Sequence, residues 1–520
     1  DKDGDLDFYL LNNSFRSVGG YDIRPGLREI RDPKGGNKLY RNDGGYFTDA
    51  SEEAGIYGSE IGFGLGVTIG DVDRDGWQDI FVSNDFFEKD YLYINQKDGT
   101  FHEALEAQIR EISMGSMGAD MADLNNDGYP EIFVTEMLPE KEARVKTKMT
   151  FEDWEKYRLN VENGYYHQFT RNALQLNHGN NTFSEISRLA GVHATDWSWG
   201  ALIADLDNNG HKDIFVANGI FKDLMDQDYI NFMADPATVR EILKRENAVI
   251  KKLVDMMPSV PLSNYAFANE GSLQMTNRSA EWGLATPSHS NGSAYGDLDN
   301  DGDLDLVVNN TNMSPFLYRN EARQQQVNHN YLSLKLIGAG TNTFALGTQA
   351  EIWKNGEMKY QELAPMRGFE SSVDSRLHFG LGDWQKLDSI VVYWPYGKKT
   401  TLSSVEVNRE IVLREAEAGA EIEVRTGKKH DQIFQEEENK GFSFTHQEND
   451  FTDFNRDRLL FHMRSTLGPR LAAGDVNGDG LQDFYIGGAR NQSGTLMVQQ
   501  ANGSFEPMSQ PTFAADSISE

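Results

Sequence analysis

One nine-residue pattern constrains this chain more than anything else in it: Asp-x-(Asp/Asn)-x-(Asp/Asn)-Gly-x-x-(Asp/Glu), followed at once by an apolar run. Five complete copies occur. They are Asp71, Asp73, Asp75, Gly76 and Asp79; Asp123, Asn125, Asp127, Gly128 and Glu131; Asp205, Asp207, Asn209, Gly210 and Asp213; Asp297, Asp299, Asp301, Gly302 and Asp305; and Asp475, Asn477, Asp479, Gly480 and Asp483. Behind them come Ile80-Phe81-Val82, Ile132-Phe133-Val134, Ile214-Phe215-Val216, Leu306-Val307-Val308 and Phe484-Tyr485-Ile486. A stretch this dense in carboxylates cannot enter a core unpaired, whereas the run behind it reads as a buried strand. The chain is therefore a series of acidic turns, each launching a strand.

A second element recurs between the turns: Asn-x-Leu-Tyr-x-Asn, then glycine, then phenylalanine. Asn37–Asn42 with Phe47, Tyr91–Asn95 with Phe101, and Asn172–Asn177 with Phe183 are examples. Two strands joined by a Gly/Asn turn make a hairpin. Small-residue strands such as Gly64–Gly70 and Gly292–Gly296 precede the acidic turns. Four short strands per unit, repeated, predict a mainly β fold built as a β-propeller. From Gly4 through Gly76, Gly128 and Gly210 to Gly302 the gaps are 72, 52, 82 and 92 residues, against roughly 40–50 for a bare blade. Three gaps must hold insertions. Two are helical. Thr150–Asp153 forms a capping box ahead of Trp154, Tyr157 and Val161. Asp235-Pro236 opens a second helix, in which Val239, Ile242, Leu243, Ile250, Leu253, Val254 and Met257 keep helical spacing up to Pro258. The third insertion, residues 12–36, reads as a loop. Gly302 to Gly480 is 178 residues, too many for one blade, so a separate domain lies there.

Oxygen ligands at alternating positions, with a sharp turn at a glycine in position six, suit a hard cation, and Ca²⁺ better than Mg²⁺ because it takes more protein oxygens in looser geometry. Side chains at positions one, three, five and nine would bind it. Position seven would add a backbone carbonyl, from Trp77, Tyr129, His211, Asp303 and Leu481. An EF-hand needs a bidentate Glu at position twelve. That position is Val82, Val134, Val216, Val308 and Ile486 here, so the EF-hand is rejected. The bland alternative is a set of acidic turns, which five copies of one spacing argue against. Loops 71–79 and 297–305 carry four carboxylates at ligand positions and the others three, so these two are expected to bind more tightly. Glu131 in place of Asp sets its loop apart. Asp1, Asp3 and Asp7 around Gly4 are the back part of a sixth, weakened copy. The chain thus reads as starting inside a repeat, with any signal sequence upstream, and as ending inside another.

These loops resemble the FG-GAP or VCBS repeats of integrin alpha-chain propellers and of many bacterial surface proteins, in which the acidic loop holds Ca²⁺. The resemblance covers about 1–325 and resumes near 455–520. Between them, Asn330–Leu336, Leu346-Gly347, Gly368–Ser372, His378–Gly382 and Trp394–Gly397 resemble an ASPIC/UnbV domain, as found in cartilage-acidic-protein-like proteins and bacterial homologues. One departure is Thr341-Asn342-Thr343, where that family commonly has an Asn-Arg pair. Strands are expected at 331–337, 349–354, 388–394 and 409–414. The implied organisation is a propeller with helical insertions over 1–328, a small β-rich ASPIC/UnbV domain over 329–416, a linker over 417–450 and the start of a second repeat array over 451–520.

Composition narrows function. With 81 acidic and 49 basic residues the net charge is −32, which argues against nucleic-acid binding and docking on anionic lipid. No apolar run reaches a membrane span. The absence of cysteine excludes thiolate metal sites, disulfides and a Cys nucleophile. No catalytic motif is present: Gly62-Phe63-Gly64-Leu65-Gly66 is not a dinucleotide fingerprint, and the 11 histidines include no i, i+4 pair. His378, beside the two glycines Gly380 and Gly382, is a ligand or, more commonly for such a residue, a hydrogen-bonded structural group. Trp197 and Trp199 offer a sugar-stacking platform or, more simply, packing between blades. Two readings remain. One is a Ca²⁺-stabilised extracellular or cell-surface scaffold, without enzymatic activity, for adhesion or for binding a protein or glycan. The other is a carbohydrate-active hydrolase or lyase built on a propeller channel.

Overall fold

The computed structural model of the chain describes residues 1–14, 16, 24–149, 154–234, 249–419, 434, 441–442, 444–457, 459–460, 462–508 and 510–517. Contacts divide it into two compact units, Asp1–Lys429 and His430–Glu520.

The fold is mainly β. The first unit begins with five antiparallel sheets, each with its strands side by side in sequence order; in the third, Gln168–Phe169 intervenes in sequence and pairs instead with Ile112–Ser113. The first has three strands, Phe8–Leu10, Lys38–Asn42 and Phe47–Asp49. The second is Gly64–Gly70, Asp79–Asn84, Tyr91–Asn95 and Phe101–Glu103. The third is Ala119–Ala122, Glu131–Val134, Ala173–Asn177 and Phe183–Glu185. The fourth is Ser198–Ala204, Asp213–Asn218, Tyr265–Asn269 and Met275–Asn277, and the fifth Ser290–Gly296, Asp305–Asn310 and Phe316–Tyr318. Each is one propeller-type blade; in the second to fifth an acidic turn joins the first strand to the second, while the first sheet begins behind its turn, so that Phe8–Leu10, Lys38–Asn42 and Phe47–Asp49 stand as second, third and fourth strands. Second strands such as Asp213–Asn218 are buried along their whole length, because apolar layers cover both faces. Phe81, Ile132 and Phe183 fill the space between second and third blades. Phe133, Ile203 and Met275 fill the next, and Leu202, Phe215 and Leu306 the one after.

All three insertions leave between the second and third strands of a blade, at the end away from the acidic turns. Helices Glu142–Lys148 and Trp154–Glu162 interrupt the third blade, and Gln227–Ala234 and Val249–Met256 the fourth. The predicted caps at Thr150–Asp153 and Asp235-Pro236, with Val239, Ile242 and Leu243, lie outside the described residues.

Residues 330–414 form seven strands in two sheets around a core of their own, including Leu332, Leu334, Ile352, Phe379, Ile390 and Trp394. The four expected strands are present, and Glu357–Glu362, Leu377–Gly382 and Lys399–Glu406 are added to them. Glu357–Glu362 escapes sequence reading because polar groups are turned inward: Lys359 is buried and donates to the Gly210 carbonyl.

Between Glu362 and Leu377 the chain leaves this small domain and runs among the inner strands of the blades. Glu362 lies at Gly70, the acidic end of an inner strand. Arg367 reaches Asp120, the Ile203 carbonyl and the Tyr295 hydroxyl. Gly368 bridges Ala119, and Phe369 sits against Gly118 and Gly200 near the far end. The chain then returns, pairing Met366 with Ser372, and Asp374 donates its N–H to the Tyr295 carbonyl. One hairpin thus touches the inner strands of four blades, which places it on the axis they surround. Gly200 makes room for it, since an added Cβ would lie 2.9 Å from Phe369.

In the second unit, Leu471–Gly474, Asp483–Ile486, Thr495–Gln499 and Phe505–Met508 form one more four-stranded antiparallel blade sheet.

Candidate metal centres

The acidic turns share one hydrogen-bond scheme, written by the sequence. The position-one carboxylate accepts the N–H of the position-six glycine: Asp71 from Gly76 at 2.8 Å, Asp123 from Gly128 at 3.1 Å, Asp205 from Gly210 at 2.7 Å, Asp297 from Gly302 at 3.1 Å and Asp475 from Gly480 at 2.8 Å. Positions three and five each accept the N–H two residues on, as Asp73 does from Asp75 and Asp75 from Trp77. These nested Asx turns need a left-handed residue at position four. Arg74, Asn126, Asn208 and Asn300 have φ of 62°, 61°, 59° and 60°, and Gly478 takes the place in the fifth copy. The clipped copy keeps the scheme, with Lys2 at φ 64° and Asp3 and Asp5 donating to Asp1 and Asp3.

Position nine ties the turn to the blade. Asp79 accepts the N–H of Val72 through one oxygen and of Asn95 through the other, both at 2.9 Å. Asp213 does the same with Leu206 and Asn269, Asp305 with Leu298 and Asn320, and Asp483 with Val476 and Gln499. Glu131 accepts from Leu124 at 2.7 Å, and Asp7 from Asn42. The role of this carboxylate in joining turn to hairpin was not legible from ligand spacing.

Three turns gather carboxylate oxygens within 4.8 Å of one another: Asp71, Asp73 and Asp79; Asp205, Asp207 and Asp213; and Asp297, Asp299 and Asp301. In the other two complete copies the position-three residue is Asn, and its amide donates to a neighbouring carboxylate, Asn125 to Asp127 at 3.0 Å and Asn477 to Asp479 at 2.9 Å. Asp75 pairs with Lys97 at 2.8 Å. Asp303 points its carboxylate away, to Asn208 and the Arg323 N–H.

Burial of like charges shifts these groups upward. Burial first, then Glu362, holds Asp71 at about 6; burial, Asp75 and Asp71 hold Asp73 at about 6. Burial and Asp207 hold Asp205 at about 7. Asp79, Asp213 and Glu131 are raised well above the carboxylate range, chiefly by burial. Asp475, in the solvent-exposed fifth turn, is lowered by its backbone N–H partners. Oδ1 of Asp123 and Oδ1 of Asp205 are buried and accept no hydrogen bond among the described residues. A buried carboxylate oxygen without a donor is costly unless a cation meets it. Hard oxygen donors only, with no thiolate or imidazole beside the position-one oxygens, fit Ca²⁺ chemistry.

The turns are not independent. The position-four side chain of each donates to the position-six carbonyl of the next: Lys2 to Gly76, Arg74 to Gly128, Asn126 to Gly210 and Asn208 to Gly302. The small domain covers this chain of turns. Gln349 donates to Asp71 Oδ2 at 2.6 Å, and Glu362 accepts the Asp71 N–H at 2.9 Å. Arg74 also pairs with Glu351 at 2.7 Å. At Gly380 an added Cβ would fall 1.9 Å from Asp205 Oδ2. His378 is buried, stacks on Tyr331 and meets Asn208 Oδ1 through Nε2 at 2.8 Å. Burial lowers it to about 4, so it stays neutral and serves as a structural histidine. Trp199 packs on Phe369 with ring centroids 5.1 Å apart and donates to the Gly219 carbonyl, which is the packing role.

Blades launched from acidic turns, with a separate β-domain threaded through their axis, define a multidomain repeat protein. The chain carries FG-GAP-like repeats, matched over 1–82, 71–134 and 163–216, and an ASPIC and UnbV domain, matched over 338–420. Neither is a typical catalytic family. Human integrin alpha-6 is 31% identical over 83 residues, 14% of this chain, and the chain spans 7% of that relative's length. An Agrocybe aegerita lectin that recognises non-reducing terminal N-acetylglucosamine aligns with 91% of this chain and 86% of its own, at 12% identity and a TM-score of 0.25. The V. cholerae biofilm matrix protein Bap1 aligns with 97% and 80%, at 11% identity and a TM-score of 0.22. Scores this low establish no shared fold.

Proposed function

We propose that this protein is a calcium-binding scaffold that works outside the cell or at its surface, where its blades present a binding face to a protein or glycan. The carrying observation is the third turn. There Asp205, Asp207 and Asp213 converge within 4.8 Å, and the buried Asp205 Oδ1 accepts no hydrogen bond among the described residues. In this reading Ca²⁺ takes side-chain oxygens from Asp71, Asp73, Asp75 and Asp79 and their counterparts, and the carbonyls of Trp77, Tyr129, His211, Asp303 and Leu481. Extracellular calcium would keep the turns loaded and hold the blades in register. The integrin-like repeat supports placement outside the cell. A propeller enzyme acting from an axial channel gains no support, because Arg367 and Phe369 occupy that axis.

Calorimetry and metal analysis on the EDTA-treated chain test the metal reading: about five Ca²⁺ are expected, with a weak or absent sixth at Asp1, Asp3 and Asp7. Fewer than three would overturn it. Glycan-array binding without turnover of the bound sugars separates the scaffold from the enzyme.

A further inference from the structure

Four of the five blades in the first unit close their outer edge in the same way. The second residue of the third strand, Leu39, Leu92, Leu174 or Ala266, turns its N–H and carbonyl away from the second strand. The chain following the fourth strand meets both. Ala50, Ala104, Ile186 and Arg278 donate to these four carbonyls at 2.8 to 2.9 Å. The four N–H groups go to Ser51, Glu103, Glu185 and Ser279 side chains. Leu92, Leu174 and Ala266 are fully buried as a result.

The fifth blade stops at its third strand. By register Leu317 is the equivalent residue, since Tyr318 faces Leu306 as Tyr93 faces Ile80. It is 68% exposed, and no described residue meets its N–H or carbonyl. The sequence explains why. After Asn42, Asn95, Asn177 and Asn269 come two left-handed residues that turn the chain back, such as Gly179 and Asn181 at φ 65° each. After Asn320 comes Glu-Ala-Arg-Gln-Gln-Gln with no glycine, and Ala322–Gln325 is helical. The fourth strand therefore never forms.

Beside this open edge lies a groove of about 390 Å³, lined by Leu206, Trp282, Leu284, Leu304, Leu306 and Leu317. The complete blades show what belongs there. In the third blade Phe183, opposite Asn177, packs with Val72 and Ile109 of the preceding blade. In the fourth, Met275, opposite Asn269, packs with Leu124 and Val192. Leu206 and Leu284 are the corresponding residues of the fifth groove. Two residues after the Phe or Met stands Glu103, Glu185 or Asn277. Glu103 and Glu185 each accept the third-strand N–H and the N–H that follows the strand.

We propose that the Phe316–Tyr318 edge of the fifth blade is a docking site for an extended segment of a separate polypeptide, carrying Phe-x-Glu or Phe-x-Asp. The segment adds as the missing fourth strand. Its aromatic ring lies opposite Asn320 and enters the Leu206–Leu284 groove, and its carboxylate, opposite Tyr318, accepts the Leu317 N–H. Backbone pairing supplies affinity and the pocket supplies selectivity, as in other strand-addition recognition. The inference is independent of the calcium reading, since it uses no metal ligand.

The test uses the full chain and a labelled peptide with the sequence of residues 178–187, which contains Phe183-Ser184-Glu185. Fluorescence anisotropy should show saturable binding with a Kd below about 1 mM. Binding should weaken at least tenfold with Phe183→Ser in the peptide. The same loss is expected with Leu317→Pro in the protein, a change that an edge strand tolerates because only an outward N–H is removed. Hydrogen exchange on the unmodified chain gives a second readout. The Leu317 amide should exchange fast in the free protein, unlike those of Leu92 and Leu174, and slow when peptide saturates it. No saturable binding, or binding indifferent to both substitutions, would overturn the proposal. So would a Leu317 amide already protected in the free chain, because another part of the protein would then hold the edge.

Discussion

The Arg367 guanidinium meets the Asp120 carboxylate in a two-pronged contact, Nε to Oδ1 at 2.7 Å and Nη2 to Oδ2 at 2.9 Å. Asp120 is fully buried in an inner strand of the third blade, while Arg367 belongs to the axial hairpin. The pair therefore fastens the small domain to the blades. Removing one partner leaves a buried charge alone, at a cost of about 3–5 kcal/mol. Arg367→Met should lower stability by that order, and Asp120→Leu combined with Arg367→Met should recover much of it, because both charges go together. Denaturant melts of the two singles and the double form the cycle. A double variant no better than Arg367→Met would mean the contact acts through packing alone.

Positions three and nine of one turn should separate metal binding from blade structure. Asp79 accepts two backbone N–H groups, so Asp79→Ala should destabilise the protein by about 2–4 kcal/mol even in EDTA, because two buried N–H groups lose their acceptor. Asp73, half-buried, accepts the single N–H of Asp75 at 3.2 Å. Asp73→Ala should cost little in EDTA and should remove most of the stabilisation that calcium gives through this turn. Thermal melts of both variants, with and without calcium, give the comparison. Equal losses for both in EDTA would contradict it.

Stability should depend on pH in opposite senses with and without calcium. Folding raises Asp71 and Asp73 to about 6 and Asp205 to about 7, from unfolded values near 3.9. Without metal the folded state holds these protons more tightly than the unfolded chain. Their contribution is fully present below about pH 4 and is lost as pH rises through about 6 to 7. Each unit of difference corresponds to about 1.4 kcal/mol per group. Calcium binds the ionised form and offsets the loss, by about 2.7 kcal/mol per site at a hundredfold excess over its Kd. The EDTA-treated protein should melt higher at pH 5 than at pH 7.5, and added calcium should raise Tm more at pH 7.5. A Tm in EDTA that is flat or rises across that range would count against buried like-charge turns.

Asn208 joins three parts of the first unit. Its amide donates to the Gly302 carbonyl at 3.0 Å and to Asp303 at 2.8 Å, and its oxygen faces His378 Nε2. Asn208→Gly keeps the left-handed backbone but strands three buried partners. The expected loss is about 2–4 kcal/mol, seen equally in calcium and in EDTA. Arg74→Gly, at the same position of the Asp71 turn, should lose more, about 3–5 kcal/mol, because it also removes the guanidinium that pairs with the buried Glu351 carboxylate at 2.7 Å. Chemical denaturation of the two variants tests the ranking.

The repeat was fully legible in the sequence. Oxygen-bearing side chains at alternating positions hydrogen-bond backbone two residues ahead, and glycine alone takes position six without strain. Such local rules fix each turn and the strand behind it without any distant contact. The left-handed position four is Asn in three copies and Gly478 in another, a local signal that ligand spacing alone did not use. What the sequence did not determine lies across hundreds of residues. Nothing in Gly368-Phe369 announces that it threads the axis of four blades, or in Gly380 that its missing Cβ lets a strand reach Asp205. Glu357–Glu362 did not look like a strand, since its polar face turns toward the acidic turns rather than toward water. Leu317 resembles any other strand leucine until register shows it standing where four other blades are sealed. Those facts depend on which surfaces meet, and only the tertiary structure brings them together.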